Sequence, residues 1–295
     1  MSEKKSAYSS GIKSELSIIK DLGAEESFEI VQRIAAFLKE NKLSLGCASG
    51  TTNSLLCAYK IGLTRINPVE YGLLSERNLF PKPYFGILLD NISYQKLNEF
   101  LRGNKISKSV LQNNNIEIIY DKRLDSIDHN KKYTYKGLSR LAIQKEFDIN
   151  SVSTINDFKS FIDDYALKSA FGLKDFWFYE FACNSYKSLS EKYSFLKTDN
   201  VYNAILFQEE WMLIVKKITG LSLSEVNIFR RELSKSSWSK YQEFKLLMES
   251  IGAQKAIPDS DLIQITQTLY TSLSYLPCKA YIASESYINL ISASS

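Results

Sequence analysis

At 295 residues, 44% hydrophobic and 13% aromatic, the chain has enough apolar material for a sizeable core in one large domain or two ordinary ones. No apolar run approaches the roughly 18 residues needed to span a bilayer, and the polar opening MSEKKSAYSS lacks the apolar middle of a signal peptide, so a cytoplasmic protein with no membrane partner is expected. With 37 basic against 33 acidic residues the net charge of +4 does not announce nucleic acid, and any basic footprint must be local.

In chain order, Ile12, Leu16, Ile19 and Leu22 recur at helical spacing with Gly23 as the stop, and Phe28, Val31, Ile34, Ala35 and Leu38 repeat the pattern. KLSLG is a strand candidate, followed by the small-residue turn GCASGTTNS and a helix over SLLCAYKIGL. A strand, loop, helix unit of this kind can lay backbone N–H groups and hydroxyls around a phosphate, with Ser49, Gly50, Thr51 and Ser54 as the nucleotide-binding candidates. The competing reading is a plain connection with an N-cap at Asn53 or Ser54. PYFGILL and IEIIYD read as strands, the second preceded by the turn QNNN.

His129 is the sole histidine and lies in the polar run DSIDHNKK, so imidazole chemistry is not expected. Cys47, Cys57, Cys183 and Cys278 form no C-x-x-C pair, which argues against zinc and disulfides. Beyond about Lys132 helices are expected over KGLSRLAIQKEF, TINDFKSFIDDYALKSAF and the aromatic LKDFWFYEFA. VYNAILFQEEWMLIVKKITG is a strand-to-helix candidate ending at Gly220. Two further helices follow, the first opened by Ser222 and Glu225 in a capping-box pattern. These elements imply an α+β body in front and a helical lobe behind, predominantly helical overall.

Several blocks in this order resemble the bacterial DNA polymerase III alpha subunit, the C-family replicative polymerase. KSELSIIKDLGAEESFEIVQRIAAFLKENKLSLG looks like the family's paired helices, and CASGTTNSLLCAYKIGLTRINPVEYGLLSERNLFP like its loop, helix and LLFERFLNP segment. ILFQEEWMLIVKKITGLSLSEVNIFRRELSK looks like its YQEQVM block, with weaker likenesses in YKGLSRLAIQKEFDINSVSTINDFKSFIDDYAL and CKAYIASESYINLIS. The resemblance implies a polymerase-beta-like nucleotidyltransferase palm with a helical fingers lobe. It would place a palm-like region at 1–130, a helical connection at 131–200 and a fingers-like region at 201–295. It leaves no room for the family's N-terminal phosphoesterase-like and rear clamp-binding regions.

In that family three aspartates hold two magnesium ions, hard carboxylate ligands suiting hard cations. Where the family has Pro-Asp-x-Asp-x-Asp, this chain has Pro83, Tyr84, Phe85, Gly86, Ile87 and Leu88, so Tyr84 and Gly86 occupy the lost aspartate positions. Asp90 shares their strand face but lies roughly 13 Å beyond position 86. Asp121 is the candidate remnant metal ligand, with an ordinary strand-end carboxylate as the alternative. The family's loop arginine and its Arg-Pro-Gly-Pro turn are also lost, the latter replaced by LKSAFGL.

Glu76 and Arg77 match the family and are read as an internal ion pair. Arg230, Arg231, Lys235 and Lys240 form a basic strip with Trp238 and Tyr241 nearby, suited to a phosphate backbone. A solvated face partly neutralised by Glu232 and Glu243 is the alternative. The expectation is therefore a DNA-binding or replisome-partner-binding pseudo-polymerase, with no certain cofactor and magnesium only if activity remains. The competing readings are a nucleotidyltransferase completed by another chain, such as a neighbouring-gene product, and a protein-interaction module using the aromatic surface DFWFYEF.

Overall fold

The computed structural model describes residues 2–43, 48–125, 132–136, 144–148, 158–159, 162–163, 166, 186–200, 204–235, 238–273 and 276–292. Among these residues helices predominate and strands are few, the α+β organisation the sequence implies. Two compact units are present: residues 1–162 with 280–295, and residues 163–279. KLSLG beyond residue 43, His129, the turn LKSAFGL and the aromatic stretch DFWFYEF lie outside the described residues.

The first unit opens with α1 (Ser2–Asp21) and α2 (Glu25–Glu40). Gly23 takes a left-handed φ of 64° that ends α1 and lets the Ala24 N–H reach the Ile19 carbonyl at 2.9 Å. α2 buries Phe28, Val31, Ile34, Ala35 and Leu38, the face its spacing predicts. α1 is turned differently from expectation, since Leu16 is 37% exposed while Glu15 is only 6% exposed. The cause is an acceptor requirement elsewhere in the unit, described below.

β1 (Ala48–Ser49), β2 (Phe85–Leu89) and β3 (Ile116–Tyr120) form one sheet in the order β1-β2-β3. β1 runs antiparallel to β2 with Ser49 opposite Gly86, and β2 runs parallel to β3 with Gly86 opposite Glu117. A parallel step needs a crossover, here α5 (Asn91–Gly103) and α6 (Lys108–Asn113). Asp90 caps α5 by accepting the Ser93 N–H at 2.7 Å, and Ser107 caps α6. All five residues of β2 are buried, which is why FGILL shows no polar alternation. Phe85, Ile87 and Leu89 share a core with Ile34, Leu38, Leu97 and Leu101.

The helix expected over residues 136–147 is overturned at its described positions, 136 and 144–147, which are strand; residues 137–143 lie outside the described residues. β4 (Lys132–Lys136) and β5 (Gln144–Asp148) pair antiparallel, with Lys136 opposite Gln144. Tyr133, Thr134 and Tyr135 are residue types that favour strands, and this preference outweighs the helical reading of the segment that follows. Further on, the described positions Phe158, Ile162 and Ala166 are helical and buried at the spacing of one helix face.

The second unit contains α7 (Gln208–Thr219), α8 (Leu223–Leu233), α9 (Trp238–Gln254) and α10 (Asp259–Ser272). α11 (Lys279–Ser292) carries the chain into the residues of the first unit. Gly220, at φ 76°, ends α7, and the reciprocal Ser222–Glu225 box opens α8, both as expected. Residues 204–207 are irregular rather than strand, because the Leu206 and Phe207 amides donate to the Glu210 carboxylate instead of to a ladder. Gly252 admits close packing of α9 on α10: a Cβ there would fall 2.3 Å from Leu262 Cδ2. Among the described residues no helix is long and apolar enough to cross a membrane.

Candidate functional site

The loop Gly50–Ser54 forms a 3-10 turn between β1 and α3 (Leu56–Lys60) and turns its polar groups inward. Thr52, Asn53 and Ser54 are at most 1% exposed. The Asn53 amide donates to the carbonyls of Ala48 (2.8 Å) and Gly50 (3.1 Å), and its oxygen accepts from the Thr64 hydroxyl at 2.5 Å. Ser54 Oγ donates to the Thr51 carbonyl at 2.7 Å. Thr52 Oγ1 accepts the Gly86 N–H at 2.8 Å, tying the loop to β2. Asn78, in the short helix α4 (Glu76–Leu79), donates to Thr51 Oγ1 at 3.2 Å and to the Tyr84 carbonyl at 2.6 Å, while its oxygen accepts the Tyr84 N–H. This asparagine holds the corner together and was passed over in the sequence, where Glu76 and Arg77 beside it drew attention.

α3 has Leu55 at its cap position with no side-chain cap, so neither Asn53 nor Ser54 plays the role expected of it. The acceptor comes from α1: the Leu56 and Cys57 N–H groups donate to Glu15 Oε1 and Oε2 at 2.9 and 2.8 Å. A side-chain carboxylate from α1 thus satisfies the first free amides of α3. Burial pushes the Glu15 carboxyl above its ordinary value against the pull of these two amides, and burial next to Glu15 raises the Cys57 thiol as well.

On β2 the positions expected to carry carboxylates are closed by packing. The Tyr84 ring folds over Gly86, and a Cβ on residue 86 would lie 2.6 Å from Ser49 Cβ and 2.7 Å from Tyr84 Oη. The Tyr84 hydroxyl donates to Glu117 Oε2 at 2.5 Å and also hydrogen-bonds Ser49; burial and then Glu117 hold it protonated well above the usual phenol range. Glu117 stands opposite Gly86 in the parallel register. No local pattern signals its position, since only the β2–β3 register brings it there.

Asp121 lies just beyond β3, four residues past Glu117 and therefore about 13 Å further along. Its carboxylate is held by Arg123, Oδ1 to Nε at 3.0 Å and Oδ2 to Nη2 at 2.6 Å, and Arg123 also reaches Glu285 at 2.8 Å. Burial works against ionisation of Asp121, but the Arg123 hydrogen bonds and charge outweigh it and hold the carboxyl below its usual value. These residues do not fit a two-magnesium site: positions 84 and 86 offer no carboxylate, Glu117 accepts from Tyr84, and Asp121 is turned to a guanidinium. Among the described residues no group of three histidine, cysteine or acidic side chains could hold a metal ion.

The basic strip is divided by its own fold. Arg230 is 5% exposed and donates to Asn227 Oδ1 at 3.2 Å. Lys240 sits between Glu232 (3.1 Å) and Glu243 (2.9 Å), which raise its pKa. Arg231 and Lys235 are exposed, as is Trp238 at 72%, whose ring lies 5.5 Å from that of Tyr241. In the same unit Gln208, Glu209 and Glu210 serve as connectors. Gln208 donates to the Leu276 carbonyl at 2.8 Å, and Glu209 accepts the Lys279 N–H at 2.8 Å. Glu210 accepts from Asn200 and from the Leu206 and Phe207 amides, while burial pushes its carboxyl up to about 7.

Comparison with known proteins matches residues 1–83 to a family model described as the bacterial DNA polymerase III alpha NTPase domain. The chain is similar to the DNA polymerase III subunit alpha of Staphylococcus epidermidis, 37% identical over 75 residues, which is 25% of this chain and 7% of that protein. The corresponding subunit of Staphylococcus aureus is 33% identical over 75 residues, with the same coverage. The resemblance read from the sequence therefore holds for its front part, and the chain matches only a small fraction of the length of these relatives.

Proposed function

We propose that this chain is a DNA polymerase III alpha-like protein of replication or repair that binds rather than polymerises. Its front part, residues 1–130, is read as a degenerate polymerase-beta-like nucleotidyltransferase palm, followed by a connection at 131–200 and a fingers-like region at 201–295. The observation that carries this reading is the closure over Gly86: a Cβ there meets Ser49 Cβ at 2.6 Å, so even a restored carboxylate would not fit without moving β1. The inward turn of the loop side chains Thr52, Asn53 and Ser54, and the use of the first α3 amides by Glu15, support it, because these polar groups are already satisfied from within. Binding would be by occupancy of primer-template DNA or of a replisome subunit in the cytoplasm. Arg231, Lys235 and Trp238 are the exposed groups suited to a phosphate backbone and to base stacking.

A second reading, a nucleotidyltransferase completed by another chain, draws on Glu117 standing in register with Gly86. Primer extension with magnesium or manganese separates the two. The binding reading expects no template-directed incorporation by the protein alone and salt-dependent retention of DNA. Robust incorporation that Asp121→Ala abolishes would overturn it. Co-purification of a polypeptide without any DNA retention would transfer the function to protein contact.

A further inference from the structure

Among the described residues β3 is an edge strand, and its outer side is not blunted. The Phe85 N–H donates to the Asn115 carbonyl and the Asp121 N–H to the Leu89 carbonyl, both at 3.0 Å. In a parallel ladder this parity directs the amides of Glu117 and Ile119 at β2 and turns the N–H and C=O groups of Ile116, Ile118 and Tyr120 away from it. Among the described residues these outward groups have no hydrogen-bond partner. A five-residue edge, IEIIY, whose one charge Glu117 is engaged by Tyr84 and which has no proline or bulge, is a template for another strand.

Beside that edge, between β3, α5 and α6, runs a groove of about 740 Å³. Its floor is apolar, with Leu101, Ile106 and Leu111 buried beneath it. Its rim carries Arg102 and Lys108, both exposed and, among the described residues, without an ion-pair partner. The one rim carboxylate, Glu117, already accepts from Tyr84.

We infer that the outward edge Ile116–Tyr120 and the Arg102/Lys108 groove together form a docking site for an extended acidic segment of a partner protein, added as a fourth strand. Main-chain hydrogen bonds to residues 116, 118 and 120 hold the segment, central apolar side chains on its groove side enter the floor, and carboxylates at its ends meet the two cations on the rim. The rim charge selects the occupant. A second copy of this chain would present IEIIY, whose single carboxylate is engaged by Tyr84, and so satisfies two cations less well than an acidic peptide.

The test uses the full chain and a fluorescein-labelled heptapeptide with Val at its three central positions and Glu or Asp at the two positions on either side, with a control in which every acidic residue is Lys. Fluorescence anisotropy should show saturable binding of the acidic probe and at least tenfold weaker binding of the control. Ile118→Pro removes an N–H that points away from β2, so the β2–β3 ladder survives while binding falls at least tenfold; circular dichroism checks the fold. The exposed double variant R102E/K108E should cause a similar loss and decides the matter if Ile118→Pro unfolds. Equal affinity for both probes, no binding of either, or binding unchanged in R102E/K108E overturns the inference. A dimer in sedimentation that Ile118→Pro dissociates would give the edge to a second copy and overturn it likewise.

Discussion

Substituting Gly86 by alanine forces a methyl group into space already held by Ser49 Cβ at 2.6 Å and Tyr84 Oη at 2.7 Å. Overpacking of this kind costs about 1–3 kcal/mol, so Gly86→Ala should lower the urea midpoint, and adding Ser49→Gly should recover part of the loss. An alanine variant as stable as the parent would mean that β1 yields freely. The resemblance to the polymerase family points to positions 84 and 86, which follow Pro83 where that family carries aspartates. What fills the space around them was not legible, because Ser49 and Glu117 come opposite Gly86 only through strand register, which no local pattern fixes. Asp121 is similar: its place at a strand end is readable, whereas its engagement by Arg123 and, through it, Glu285 links residues 162 positions apart.

Elements here are often closed by acceptors from other elements. α3 begins on Glu15 of α1, and α11 begins on Glu209 of α7, whose carboxylate receives the Lys279 N–H. Helical periodicity locates α2, α8 and α9 well, since their apolar faces or caps are local. It misjudges the face of α1, because burying Glu15 satisfies two amides that hydrophobic spacing cannot foresee. Glu210 makes the most testable statement at this scale. Its pKa is raised to about 7 from 4.5 by burial, against Asn200, the Lys279 charge and the Leu206 amide, with Asp163 adding repulsion. The folded state therefore binds the proton more tightly than the unfolded chain. The resulting contribution, on the order of 3 kcal/mol, is fully present below pH 4.5 and lost as pH rises through about 7. Glu210→Gln should flatten the fall in stability across that window, as read by urea melts at several pH values. An unchanged slope would show that the carboxylate stays ionised in the fold.

At the scale of the whole molecule, the chain leaves its first unit near residue 162 and returns to it at 280. The return is chemically specific: Ser284 Oγ donates to the Ala48 carbonyl at 2.7 Å and Glu285 pairs with Arg123. Removing residues 280–295 also removes the buried Ile282 and Ile288, each worth about 1.5–3 kcal/mol. The shortened protein should melt at a clearly lower temperature in calorimetry, and an unchanged first transition would contradict the assignment of this segment to the first unit. The α+β character and the polymerase III alpha resemblance were readable from ordered local blocks, and comparison supports the latter through residue 83. The discontinuous unit was not readable, since contacts such as Ala48 with Ser284 leave no periodic trace. The proposed function rests most on Tyr84 over Gly86 leaving no room for the paired carboxylates that the family resemblance implies. Titration of the full chain with manganese, followed by electron paramagnetic resonance, tests it most directly. The account predicts no tight manganese site, with the free-ion signal rising in proportion to metal added. Two tightly held ions, released by Glu117→Gln or Asp121→Asn, would contradict it.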